Sequence, residues 1–265
     1  MRVHVNGVDL EYIDQGTGVP VVFSHGGSSD LRYWEPQREA FATRYRFITY
    51  SRRFHGAGPW PAEADDSADA HVADLLAIMR GSKAGPVHLV GFSTAIALRA
   101  ILREPGLVRS LVIIEPNVPW LLEGGSDDEA ALTWWRVEND RVQREAGGDT
   151  ALRARLWFEL GNNRGPGTFE AQAAPLRRMW LDNFDARRSG GPPPPLTCEQ
   201  FGTISTPTLV VGADHGMPYS RRIVDRLAGC IRGSQQVVVP GVTHFMSYQA
   251  PDVFNDVVLE FIARH

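Results

Sequence analysis

Cysteine is nearly absent from this 265-residue chain: Cys198 and Cys230 are too few for a disulfide framework or a thiolate zinc site. A charge excess is missing too. The 27 basic and 31 acidic residues leave a net charge of -4, which offers no footprint for a polyanion, so no nucleic-acid partner is expected. No apolar run reaches about 18 residues, so no membrane span is expected. The opening Met1 to Gly7 lacks the apolar core of a secretory leader, and the expectation is a cytoplasmic protein. What is present is ordinary for a globular enzyme. Hydrophobic residues make up 43% and charged residues 22%, which excludes disordered and fibrous classes and supplies a large core.

Short β-branched runs recur along the chain. Val3 to Val5 and Val8 to Tyr12 flank Asn6-Gly7, a hairpin turn signal. Val19 to Phe23, Arg46 to Tyr50, Val87 to Val90, Leu111 to Ile114, Thr208 to Val211 and Gln236 to Val239 follow. Continuous apolar strands of this kind are expected in a parallel sheet buried on both faces. Between them, Val72, Leu75, Leu76 and Met79 repeat with helical spacing, as do Phe254, Val257, Val258 and Phe261. Strand alternating with helix predicts an α/β fold, a mostly parallel central sheet flanked by helices.

One stretch breaks the alternation. Residues 117–198 show no strand signal, and helical patterns are expected near Asp127 to Arg144, Asp149 to Leu160 and Phe169 to Asn183, the last divided by Pro175. The stretch closes on the stiff connector Pro192 to Pro195. The predicted organisation is a core of residues 1–116 and 199–265, with a helical insertion over 117–198. Five of the seven tryptophans lie in the insertion: Trp120, Trp134, Trp135, Trp157 and Trp180. Most are expected in its own small core, with one or two lining an apolar substrate pocket.

Four strand ends carry chemistry. Gly91-Phe92-Ser93-Thr94-Ala95 joins a strand directly to a helix, the setting of a tight turn that exposes a nucleophilic hydroxyl. Glycine before the serine avoids a clash, and a small residue at position 95 lets helix and strand approach. His25-Gly26-Gly27 follows an earlier strand and can aim a backbone N–H inward. With the N–H after the nucleophile, Gly27 and Thr94 would form an oxyanion hole. His25 itself is expected to be structural. Asp214 and His244 follow two later strands. Nucleophile Ser93, acid Asp214 and base His244 thus stand in the chain order of one hydrolase architecture.

With these residues in view, the chain resembles a capped member of the α/β-hydrolase superfamily, esterase-like or similar to cofactor-free haloperoxidases. The likeness extends from Val3 to His265. It includes Trp34 and the turn Ser51-Arg52-Arg53-Phe54-His55-Gly56, in which Ser51 and Phe54 depart from the family's aspartate and glycine. The position of the insertion matches the family's helical cap. Gly212 to Asp214 is one residue shorter than the family's usual spacing. Since some relatives take their acid from an earlier strand, Glu115 is the alternative to Asp214. Serine at position 93 argues against epoxide hydrolases and haloalkane dehalogenases, which carry aspartate there.

The resemblance implies that His244 takes the Ser93 proton, that an acyl-enzyme forms, and that water releases it, with no metal and no organic cofactor. The substrate is then a small molecule with an ester-like bond: carboxylic ester, lactone, thioester or C–C bond. Its pocket is expected between sheet and cap, at Gly26, Phe92, Trp120, Trp135 and Phe245. Two rival functions share the scaffold. One is a lyase or cofactor-free oxygenase using His244 as base; the other is a ligand-binding pseudo-enzyme. Arg52, Arg53 and Arg164 could meet a substrate carboxylate, but a solvated surface position is the expectation for each.

Overall fold

Asn6 and Gly7 both adopt positive φ, 44° and 78°, and close the tight turn between β1 (Arg2–Val5) and β2 (Val8–Gln15). In this computed structural model, residues 1–124, 126–163, 165–186, 191 and 193–265 are described. Arg164 and Pro192, named above, lie outside them.

Six further strands complete the sheet: β3 (Pro20–Ser24), β4 (Arg46–Tyr50), β5 (Val87–Phe92), β6 (Val108–Ile114), β7 (Thr208–Ala213) and β8 (Gln235–Val239). Their order is β1-β2-β4-β3-β5-β6-β7-β8. The first two strands pair antiparallel and the other six run parallel. Pro20 opens β3, where the lost N–H donor is tolerated. Because β3 lies between β4 and β5, the winding direction reverses there. A crevice opens at the carboxyl ends on either side of such a reversal, where α/β proteins collect ligands.

Ten α-helices lie among the described residues. The flanking ones are α1 (Glu35–Ala42), α2 (Ala68–Gly81) and α3 (Ile96–Arg103). Then come α4 (Ser126–Ala146), α5 (Thr150–Asn162) and α6 (Ala174–Asn183), all between β6 and β7. After them are α7 (Cys198–Phe201), α8 (Pro218–Cys230), α9 (Met246–Gln249) and α10 (Pro251–Ala263). Pro175 starts α6 rather than dividing a longer helix. In the first turn its missing N–H has no intrahelical partner to lose, so the residues from Phe169 to Ala173 form turns instead.

The strand period of two separates the core into two layers. Val22, Leu89, Ile113 and Val210 face one side, with Leu75 and Met79 of α2, Leu98 of α3 and Ile223 of α8. Their neighbours Phe23, Val90, Val112 and Val211 face the other, with Phe41 of α1 and Phe254, Val258 and Phe261 of α10. This two-sided burial is why the central strands read as unbroken apolar runs. The edge strand β8 is the exception, with Val238 half exposed.

The inserted helices are fastened to the sheet layer by buried polar groups. Asp128 of α4 accepts from Arg222 Nε at 2.8 Å and Arg226 Nε at 2.6 Å, both on α8. Burial opposes its ionisation, but the two guanidiniums prevail and hold the carboxyl below the usual carboxylate range. At the far end, Asn183 of α6 donates to Asp30 at 2.8 Å and accepts from the Gly56 N–H at 2.7 Å. No helix among the described residues is long and apolar enough to cross a membrane.

Cys198 and Cys230 form a disulfide that joins α7 to the last residue of α8, with Cα atoms 5.1 Å apart. Two cysteines cannot make a framework, but they do close one loop across a sequence separation of 32 residues. Chain-entropy reasoning gives a loop of that size about 3 to 4 kcal/mol of stabilisation. Reduction, or Cys230→Ser, is expected to lower urea unfolding stability by that amount. A change below about 1 kcal/mol would show that the cross-link restricts the unfolded chain little.

Candidate active site

Ser93 sits between β5 and α3 with φ at 47°, a conformation that costs a β-carbon residue energy and turns its side chain out of the sheet. Its N–H donates to the Ile114 carbonyl at 2.9 Å, which fastens the turn to the end of β6. Gly91 is required by contact: a Cβ there would lie 2.6 Å from the Ala97 Cβ on α3. Ala95 takes the place of the second glycine, half-buried at the N-cap position of α3, where it makes no side-chain cap.

The loop after β3 packs directly on this turn. A Cβ on Gly26 would lie 3.1 Å from both Ser93 Cβ and a Phe92 ring carbon. His25 supports the loop from beneath. Its Nε2 accepts the Arg52 N–H at 2.9 Å, so its proton is on Nδ1, which donates to the Gly26 carbonyl at 2.8 Å. Burial, with the Arg52 guanidinium as a lesser cause, holds the His25 pKa well below its usual value and keeps the ring neutral. Arg52 and Arg53 are buried rather than solvated. Arg52 donates to the Gly26 carbonyl at 2.8 Å. Arg53 makes a two-pronged pair with buried Asp74, at 2.7 and 2.8 Å. Phe54, at φ 62°, takes a left-handed backbone that favours glycine. Thr94 is buried, and its Oγ1 accepts from the Ile96 N–H at 3.1 Å.

His244 lies on the loop after β8, with its Nε2 3.0 Å from Ser93 Oγ. Its Nδ1 lies 3.2 Å from Oε2 of Glu115, the residue that follows β6. Glu115 is 2% exposed and has φ at 42°. Its Oε1 accepts from the Ala213 N–H at 3.0 Å, so one oxygen is fixed by backbone and the other faces the imidazole.

The expected pairing of Asp214 with His244 is therefore corrected. Asp214 accepts from Gly241 N–H at 2.9 Å and from Val242 N–H at 3.2 Å, and its side chain is 36% exposed. The Gly241 N–H in particular, then that of Val242, hold its carboxyl below the usual carboxylate range. Its side chain thus points to the backbone that leads into the His244 loop. It braces that loop without touching the imidazole.

A cavity of about 430 Å³ opens above these groups. Gly26, Gly27, Phe92, Ser93, His244 and Phe245 form its floor, and Trp135, Trp157 and Trp180 supply aromatic walls. Trp135 stacks on Tyr219, ring centroids 4.4 Å apart. Trp120 does not line the cavity, contrary to expectation: its indole N–H donates to the Leu196 carbonyl at 2.8 Å in the adjoining core. Sequence reasoning also passed over Arg153 and Asp185, two charged groups of the lining. Arg153 is one of several charges on α5, Asp185 lies in the turn after α6, and nothing in the spacing singles them out. No cluster of three or more metal-ligating side chains exists among the described residues.

Residues 21–257 match the model of the alpha/beta hydrolase family. The chain belongs to that family. A 2-(acetamidomethylene)succinate hydrolase of Mesorhizobium japonicum is 31% identical to this alpha/beta hydrolase, over 98% of this chain and 94% of the relative. Two solved structures share the fold. An esterase from Exiguobacterium antarcticum superposes with a TM-score of 0.78 at 18% identity, covering 98% of this chain and 97% of the esterase. A thermophilic esterase from Thermogutta terrifontis gives 0.74 at 24% identity, with 100% and 98% covered.

Proposed function

We propose that this alpha/beta hydrolase is a serine hydrolase that cleaves an ester-like bond of a small molecule through an acyl-enzyme on Ser93. The observation that carries the reading is the unbroken line from Glu115 through His244 to Ser93, at 3.2 and 3.0 Å. A neutral hydroxyl is a weak nucleophile. As Ser93 Oγ attacks the carbonyl carbon, His244 Nε2 takes its proton, and Glu115 stabilises the imidazolium through Nδ1. The developing oxyanion is received by the N–H groups of Gly27 and Thr94, donors worth about 3 to 4 kcal/mol each in such sites. His244 returns the proton to the leaving group. Water then attacks the acyl carbon as His244 takes its proton, and His244 returns that proton to Ser93 Oγ as the bond to the acyl carbon breaks and the acid departs.

Residues 117–198 act as the cap over this site. Their aromatic walls suit an apolar or aromatic portion of the substrate. A phosphonylating probe tests the nucleophile. A fluorophosphonate is expected to place one adduct per chain on Ser93 and none on Ser93→Ala, read by mass spectrometry of the intact protein and its peptides. An unlabelled wild type, or an adduct that survives in Ser93→Ala, would overturn the assignment.

A further inference from the structure

Among the described residues that line the cavity, two carry full charges, Arg153 and Asp185, and they face each other. Arg153 Nη2 donates to Asp185 Oδ1 at 2.9 Å. The two ends of the pair differ in how firmly they are held. The Arg153 side chain is 28% exposed and its guanidinium lies over the Phe184 ring, 5.6 Å from the centroid. The Asp185 side chain is 52% exposed and reaches Arg153 from the rim. An exposed carboxylate returns to water at little cost, whereas a guanidinium seated on an aromatic ring stays in place. A guanidinium has five N–H donors, and the bond to Asp185 engages one nitrogen.

We propose that Arg153 is the specificity-determining cation of this pocket, and that the preferred substrate carries a carboxylate at the end remote from the scissile bond. The inference rests on the serine-hydrolase reading above and adds the chemistry of the distal end. In the free protein Asp185 occupies the guanidinium. A substrate whose carbonyl lies at Ser93 sends its apolar middle between Trp135, Trp157 and Trp180, and its carboxylate replaces that of Asp185 on Arg153. The exchange trades one ion pair for another, and Asp185 recovers its hydration at the rim. A distal ammonium fares worse. It meets the fixed cation first, and the counter-charge that the described lining offers it is the loosely held Asp185.

The test compares esters that differ only at the far end. Mono-nitrophenyl adipate is paired with nitrophenyl hexanoate, and mono-nitrophenyl suberate with nitrophenyl octanoate. The readout is the kcat/KM ratio of the acid ester to its neutral partner, corrected for spontaneous hydrolysis. Wild type is expected to favour one acid ester. Arg153→Gln should lower that ratio about 10- to 100-fold, the worth of a charge-assisted contact, and Arg153→Lys should restore part of it. Asp185→Asn should raise the ratio by removing the competitor. A ratio that Arg153→Gln leaves unchanged, or a preference for 6-aminohexanoate esters, would overturn the subsite while hydrolysis itself stands. Failure of the wild type to turn over any of these esters, together with an unlabelled Ser93, would instead remove the hydrolase reading and the subsite with it.

Discussion

Glu115→Gln is expected to lower kcat on nitrophenyl acetate by about 10³- to 10⁴-fold, the scale of an orienting carboxylate replaced by its amide. The direction follows from the Ala213 N–H, which donates to Glu115 Oε1 at 3.0 Å. A glutamine there would keep its carbonyl oxygen toward that donor and present its NH₂ to His244 Nδ1. The imidazole would then have to accept at Nδ1 and carry its proton on Nε2, the tautomer that cannot take a proton from Ser93. Asp214→Asn should change kcat by less than about threefold, because an amide oxygen can still accept one of the two loop N–H groups. Steady-state kinetics of the two variants side by side decide the matter. A loss in Asp214→Asn comparable to that in Glu115→Gln would show that the acid reaches the imidazole from β7 after all.

Ser93→Ala and His244→Ala should each cost on the order of 10⁴- to 10⁶-fold in kcat, and the double variant should be no more than about tenfold worse than either single one. The reason is mechanical. The imidazole at 3.0 Å acts only by moving the proton of that one hydroxyl, so once the hydroxyl is gone it has nothing left to activate. Losses that multiply would mean that the two groups work independently. That would favour a mechanism in which His244 draws a proton from the substrate itself and Ser93 merely binds it. Circular dichroism and the urea midpoint of each variant separate these effects from unfolding.

The strands were readable because burial on both faces leaves an apolar run with no alternation, as in Leu111 to Ile114. The helical period of α2 and α10 was readable for the complementary reason, that each shows the sheet a single stripe. Strand ends also located Ser93, His244 and the Gly26-Gly27 turn, since tight turns need small residues. The acid was not settled this way. Asp214 and Glu115 both follow a buried strand, and which one meets the imidazole depends on backbone geometry, such as the φ of 42° at Glu115, which has no local signature. Trp120 and Trp135 are likewise alike in sequence, yet one is held by the Leu196 carbonyl and the other faces the cavity. The arginines mislead for a third reason. Arg52 and Arg53 are buried by partners far along the chain, and charge alone predicted exposure.

The placement of Glu115 has a further consequence. β5 and β6 are hydrogen-bonded neighbours, with Phe92 in register with Ile114, and the Ser93 N–H itself donates to Ile114. The alcohol and the carboxylate are thus mounted on one stiff ladder, and only the imidazole arrives on a separate segment. The connection after β7 instead carries Asp214, which braces the His244 loop through the Gly241 and Val242 N–H groups. A single residue added between Ile114 and Glu115 would carry the carboxylate away from the imidazole, which it now faces at 3.2 Å.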